Sequence, residues 1–264
     1  MQNDLDLFVQ GKLNEAIQTA TENVKSNQED IVVRSCLIEY LCVAGLYDRA
    51  DRQLEVIASQ DPKTTVRVME LRQIIRAAKI REDVLKIGRL PEFISAPPEH
   101  INCRLRALVA IRENNLSESA EWLTKAEESR PSLTGFVEET QFDEFRDLDD
   151  FFGGLLEVFT STGKYFWVPM EAIIEANFTP PSRAIDKAWV EVDLTLKDGP
   201  SGVVYIPATY PNLQNTETSE RLLCGLETDW IENEFGITRG MGLRCFILGD
   251  QSISINELTN LRFE

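Results

Sequence analysis

A chain of 264 residues, at roughly 150 residues per domain, makes one or two domains and is long enough to bury a core. With 43% hydrophobic and 27% charged residues it is neither a disordered chain nor a disulfide-stapled miniprotein. Its net charge of −17 argues against nucleic acid, because phosphate binding depends on clustered Lys and Arg.

The N-terminus, Met1 to Asp6, carries acid where a signal peptide needs a basic leader, and no apolar run reaches the roughly 18 residues of a membrane span. A cytoplasmic location with no membrane partner is expected. A repeat begins almost at once. Gly45, Tyr47 and Ala50 each lie 34 residues after Gly11, Leu13 and Ala16, and 34 is the tetratricopeptide period. In a frame starting at Ile31, Leu37, Leu41, Gly45, Ala50, Leu54 and Pro62 fall at the apolar, turn, small, apolar and terminal-proline positions. Each residue type has a mechanical purpose: glycine turns the chain, alanine lets two backbones approach, and proline stops the second helix. Cys36 and Cys42, six apart, read as small buried hydrophobes. Residues 65 to 98 span one repeat length but carry Lys79 and Val84 where glycine and alanine should fall, so that copy is degenerate or absent. Pro97 and Pro98 forbid helix there, and His100 caps or precedes the next helix. A weaker copy follows, in which Asn114, Ser119, Leu123 and Pro131 repeat the earlier offsets. Residues 1–131 are therefore expected to form a TPR-like α-helical repeat domain of three or four hairpins.

After Pro131 both charge and period change. Residues 1 to 131 hold 18 basic and 21 acidic side chains, net −3; residues 132 to 264 hold 9 and 23, net −14. Such a field repels polyanions and steers basic partners. Trp189, Glu191, Asp193 and Thr195 alternate with Val190, Val192, Leu194 and Leu196, the period of a strand. Asp198-Gly199 and the run Val203 to Ile206 complete a hairpin. Leu155 to Thr160 with Tyr165 to Val168, and Cys245 to Leu248 with Ser252 to Ile255, repeat this grammar, and Pro169 and Pro207 each close a strand. Connections this short demand antiparallel pairing. Residues 132–264 are expected to be an acidic antiparallel β domain of six to eight strands in a barrel-like sheet. The fold class is α+β in two domains.

Signs of chemistry are few. Five cysteines without a CxxC pair and one histidine make a zinc site improbable, so no metal and no cofactor is expected. Asp147, Asp149 and Asp150 fail the calcium-loop test, since Phe151 and Phe152 occupy the positions of an oxygen ligand and a glycine, and read as a solvated acidic loop. Arg239-Gly240-Met241-Gly242-Leu243-Arg244 resembles an anion loop but leads into a strand; a bulged turn is expected. Nucleophile, zincin, P-loop and dinucleotide motifs are all missing, so no catalytic residue is assigned and no enzyme expected. Tyr165 and Trp167 share one strand face opposite Phe166, and one of these faces must be core.

Two sets of residues carry a family resemblance. Arg34, Leu41-Cys42, Gly45, Arg49-Ala50, Gln53-Leu54 and Asp61-Pro62 resemble the opening of the ImpE family, also called SciE-type or TagJ proteins. Gly163-Lys164-Tyr165-Phe166-Trp167-Val168-Pro169, Ile206-Pro207 with Tyr210-Pro211, Asp229-Trp230, and Gly236 through Arg244 resemble its most distinctive stretches. The pattern departs at Leu243, where glutamine is expected, and at Asn114, where the turn calls for glycine. The resemblance implies a non-enzymatic accessory protein of bacterial type VI secretion. It also implies association with the small sheath subunit and, through it, with the ring ATPase that recycles contracted sheath. A cleft between the two halves would take an amphipathic helix, with acidic side chains selecting a basic partner. By repeat position Val32, Ser35 and Glu39 face that cleft. The alternatives are a metal-dependent hydrolase using the acidic loop and an acidic mimic of nucleic acid binding a basic protein.

Overall fold

The computed structural model describes residues 2–213 and 217–264. Helices fill the first half: α1 (Gln2–Val9), α2 (Leu13–Ser26), α3 (Ile31–Val43), α4 (Tyr47–Gln60), α5 (Thr65–Ile87), α6 (Glu99–Arg112) and α7 (Leu116–Ser129). Three pairs are joined by three-residue connections, and the turn is the same each time. Gly11, Gly45 and Asn114 have φ of 78°, 69° and 56°. Lys12, Leu46 and Asn115 then donate backbone N–H groups to the carbonyls of Leu7, Leu41 and Ala110, five residues back. This is the Schellman closure, which needs a left-handed residue just past the helix end. Asparagine tolerates that conformation, so Asn114 makes the turn its repeat position demands. Ala16 and Ala50 are fully buried, as close backbone approach requires.

One local expectation is met in its stronger form, the absent copy, and one needs revision. Residues 65–87 form one uninterrupted helix of 23 residues, because Lys79 and Val84 offer nothing to turn the chain. His100 lies inside the first turn of α6 and is buried, where its Nε2 meets Glu171 Oε1 at 2.7 Å.

Among its described residues the second half contains thirteen short strands, two 3-10 turns (Met170–Ala172 and Ala184–Lys187) and one α-helical turn. The strands are β1 (Gly135–Val137), β2 (Thr140–Phe142), β3 (Phe145–Asp147), β4 (Leu155–Thr160), β5 (Tyr165–Pro169), β6 (Ile173–Phe178), β7 (Trp189–Leu196), β8 (Ser201–Pro207), β9 (Thr228–Glu232), β10 (Thr238–Gly242), β11 (Cys245–Leu248), β12 (Gln251–Ser254) and β13 (Asn260–Phe263); the turn is α8 (Glu220–Leu223). The three hairpins read from alternation and turn residues form as β4/β5, β7/β8 and β11/β12, all antiparallel. The main sheet has the order β2-β1-β13-β6-β7-β8-β4-β5, with two small sheets, β10-β9 and β12-β11-β3. It is open: its end strands β2 and β5 do not pair with each other, so barrel closure is not formed. The outer edge of β5 is instead occupied by the segment after α5, where Glu92 accepts from Trp167 N at 3.1 Å and donates to Tyr165 O at 2.9 Å.

Both faces of β4 and β5 are buried. Leu156, Val158 and Val168 join an apolar core internal to the sheets, with Val190, Val192, Leu194, Ile206 and Phe246. Leu155, Phe159, Tyr165 and Trp167 join the helices in a second core that runs from Phe8 to Tyr210. Trp189 lies on the otherwise polar face of β7 but is 5% exposed, stacked on Tyr47 of α4 at 6.1 Å. The alternation of that strand is thus broken where the helices land.

Candidate functional site

A cleft of about 620 Å³ opens where α3, α4 and α5 meet β7 and β8. Its apolar lining includes Ile38, Leu54, Ile57, Val68, Leu71 and Trp189, spaced along the helices so that one stripe of each faces inward. The charged lining is predominantly acidic: Glu39, Glu70, Asp186 and Glu191, against Arg67 and Arg183.

Val32, Ser35 and Glu39 all line this one cleft. Val32 is 61% exposed. The Ser35 hydroxyl donates to Ile31 O at 2.8 Å, a bond within its own helix. Glu39 differs, being 9% exposed and already engaged inside the protein. It accepts from Arg183 Nε at 2.9 Å, from a second Arg183 nitrogen, and from Ile185 N at 3.4 Å. This pair ties α3 to the segment leading into β7. A second tie crosses the cleft from β8 to α5, where the Tyr205 hydroxyl donates to Glu70 Oε1 at 2.9 Å. Neither Arg183 nor Tyr205 carried any local signal, because each meets its partner across more than 130 residues of chain.

Several residues of the family resemblance, Tyr165, Trp167, Tyr210, Arg239 and Arg244, lie elsewhere, in a buried ionic seam between α5 and the sheets. Glu157 on β4 is its centre and is inaccessible to solvent. Arg81 of α5 grips it bidentately, Nε at 2.8 Å and Nη2 at 2.7 Å, the planar fork geometry that matches a carboxylate. Arg244 and the Tyr165 hydroxyl donate to it as well, and Trp167 Nε1 donates to Tyr165 Oη at 2.7 Å. Burial works to raise the Glu157 carboxyl, but Arg81 and Arg244 outweigh it and hold the group down at about 2. Asp147 shows the other balance. Burial, reinforced by the charge of Asp149, pushes it up to about 7 although Arg244 lies 3.6 Å away. The Tyr210 hydroxyl donates to Asp147 Oδ1 at 2.6 Å and accepts from Cys245 N at 3.0 Å.

Two sequence readings change here, and one that was left open is resolved. Asp147 and Asp149 do not form a solvated loop; both have 0% exposure. Asp149 receives Arg239 Nε at 2.9 Å and Gly240 N at 2.8 Å, and Asp150 receives Arg146 Nη2 at 2.8 Å. Among the described residues no three His, Cys, Asp or Glu side chains gather to hold a metal ion. The glycine-rich segment is not a bulged turn but the strand β10, paired with β9. Glycine at 240 answers to packing: a Cβ there would lie 2.3 Å from the Tyr210 ring. Of the two aromatic faces on β5, Tyr165 and Trp167 form the core face and are fully buried, with Phe166 on the other side.

Helical hairpins are thus anchored by a buried ionic seam to an open antiparallel sheet, with a cleft between them. The ImpE protein profile matches residues 139–262. Over 98% of its length the chain is 28% identical to the type VI secretion system accessory component TagJ of Pseudomonas aeruginosa, covering 90% of that protein. The fold is also that of the crystal structure of protein VPA1032 from Vibrio parahaemolyticus, with a TM-score of 0.91 at 26% identity over 99% of this chain and 97% of the other. Residues 139–262 thus carry the ImpE family's profile.

Proposed function

We propose that this protein is a cytoplasmic, non-enzymatic accessory component of a bacterial type VI secretion system, and that the cleft between α3–α5 and β7–β8 receives an amphipathic helix of the small sheath subunit. Through that subunit it reaches the ATPase that recycles contracted sheath. The helical hairpins are read as a tetratricopeptide-like array, residues 1–131, set against the sheet domain, residues 132–264. The observation that carries the reading is the cleft itself, an apolar floor drawn from both halves under a mostly acidic rim. A helix that seats apolar residues at i, i+3, i+4 and i+7 buries them there, while basic residues on its flanks meet Glu70, Asp186 and Glu191.

Glu39 is a poor position for the test, because it is nearly buried and its ion pair with Arg183 helps to hold the fold itself. Ser35→Trp fills the cleft from a helix face already open to it. Calorimetry with the purified small sheath subunit should show binding by the wild type and a loss of about tenfold or more by Ser35→Trp, with the thermal midpoint preserved. Undiminished binding by the folded variant removes the cleft as the site; no binding by the wild type removes the adaptor reading.

A further inference from the structure

A second cleft, also about 620 Å³, opens between α5, α6, α7 and the β9/β10 pair. In a chain of net charge −17 its lining is anomalous: Lys86, Arg112 and Arg239, and not one carboxylate. Arg112 belongs also to the wall of a shallower hollow beside it, lined by Arg89, Leu90, Leu105, Arg106, Leu108 and Val109, again without a carboxylate. The two depressions therefore form one continuous face. Apolar side chains stand out along it, with Leu90 71%, Val109 43% and Leu116 38% exposed. The cations are held in place but mostly not neutralised. Arg112 donates to Val84 O at 3.1 Å, and Arg106 lies over the Trp122 ring at 4.5 Å. Among the described residues Asp83 approaches Arg89 at 3.7 Å, and Asp149 holds Arg239; Lys86, Arg106 and Arg112 form no ion pair.

We infer that this face is a second docking surface, for a short acidic segment of a partner protein bearing bulky apolar residues. Exposed Arg and Lys beside exposed Leu and Val match such a segment in both charge and hydropathy. A broad anionic surface fits less well. A membrane plane would bring the field of the whole −17 molecule against like charge, whereas a single peptide strand lies within roughly a Debye length, about 10 Å, of the local cations only. The cleft is also concave, and Asn114, Ser119 and Asn233 in its wall offer hydrogen bonds to a peptide backbone. The inference does not depend on what the first cleft binds.

The test is selection from a display library of random 16-residue peptides on the intact protein, followed by fluorescence anisotropy of the enriched sequences. Enriched peptides should be net acidic with two or more bulky apolar residues. They should weaken about tenfold or more on the exposed double variant Lys86→Glu, Arg106→Glu, and weaken further as salt is raised. Glu70→Lys, on the rim of the first cleft, should leave them unaffected, which separates failure here from failure of the proposed function. The inference is overturned by enrichment of neutral or basic peptides, by no enrichment, or by equal binding to the double variant. It is equally overturned if vesicles with 30% anionic phospholipid, or a second copy of this chain seen by light scattering, occupy the face instead.

Discussion

The two faces of β4 solve the same problem with different chemistry. On one, Leu156 and Val158 pack into the apolar core internal to the sheets. On the other, Glu157 meets Arg81 from α5 and Arg244, with the Tyr165 and Trp167 polar tips completing the shell. Apolar burial is non-directional, so the first face stabilises the sheet without specifying a single arrangement. A bidentate ion pair has one geometry, so the second face specifies where α5 stands relative to the sheet. Because α5 also lines the cleft it forms with α3, α4, β7 and β8, the seam sets the position of that cleft's wall.

Removing the centre of the seam should have the largest effect. Glu157→Leu leaves Arg81 without its counter-charge and Arg244 with only Asp147, 3.6 Å away, and urea denaturation should show a loss of about 3–5 kcal/mol. Replacing all three together, Arg81→Met, Glu157→Leu and Arg244→Met, should restore most of that stability while loosening the placement of α5, seen as faster amide exchange at the cleft. A triple variant as unstable as Glu157→Leu would show that the seam does more than fix geometry.

Acidity should separate the faces next. The Glu157 carboxyl is held below its ordinary value, so its contribution is complete above about pH 4.5 and is lost as pH falls toward about 2. Asp147, raised to about 7, acts in the opposite sense: the folded state keeps its proton longer than the unfolded chain, so stability declines as pH rises from about 4 to 7. Asp147→Asn should flatten that neutral limb in thermal melts and leave the acid limb in place. Persistence of the neutral slope in Asp147→Asn would assign it to another group.

The smallest effect is expected on the apolar face, where Ile206→Val removes one methylene from the sheet core and should cost about 1 kcal/mol with no change in pH dependence.

What could be read from the sequence follows the range of each interaction. The hairpins at 155–168, 189–206 and 245–255 were legible because alternation and turn residues act within a few positions. The turn at Asn114 was legible too, from the spacing to Pro131, although its residue type departs from glycine. The acidic loop was misread because Arg239 and Arg244 reach Asp149 and Asp147 from about 90 residues away, and the glycines of β10 because the ring that demands Gly240 belongs to Tyr210. In the cleft, repeat position brought Val32 and Ser35 together, but the partner that occupies Glu39 comes from the other half of the chain.

The segment bridging β5 through Glu92 has a consequence for behaviour at high concentration. An unpaired strand border is a template for adding further strands from other molecules. Here the longer terminal border of the main sheet is sealed by the chain's own backbone, and the opposite terminus, β2, is three residues long. This sheet gives neighbouring copies little to extend, so concentrated protein is not drawn into fibres edge to edge.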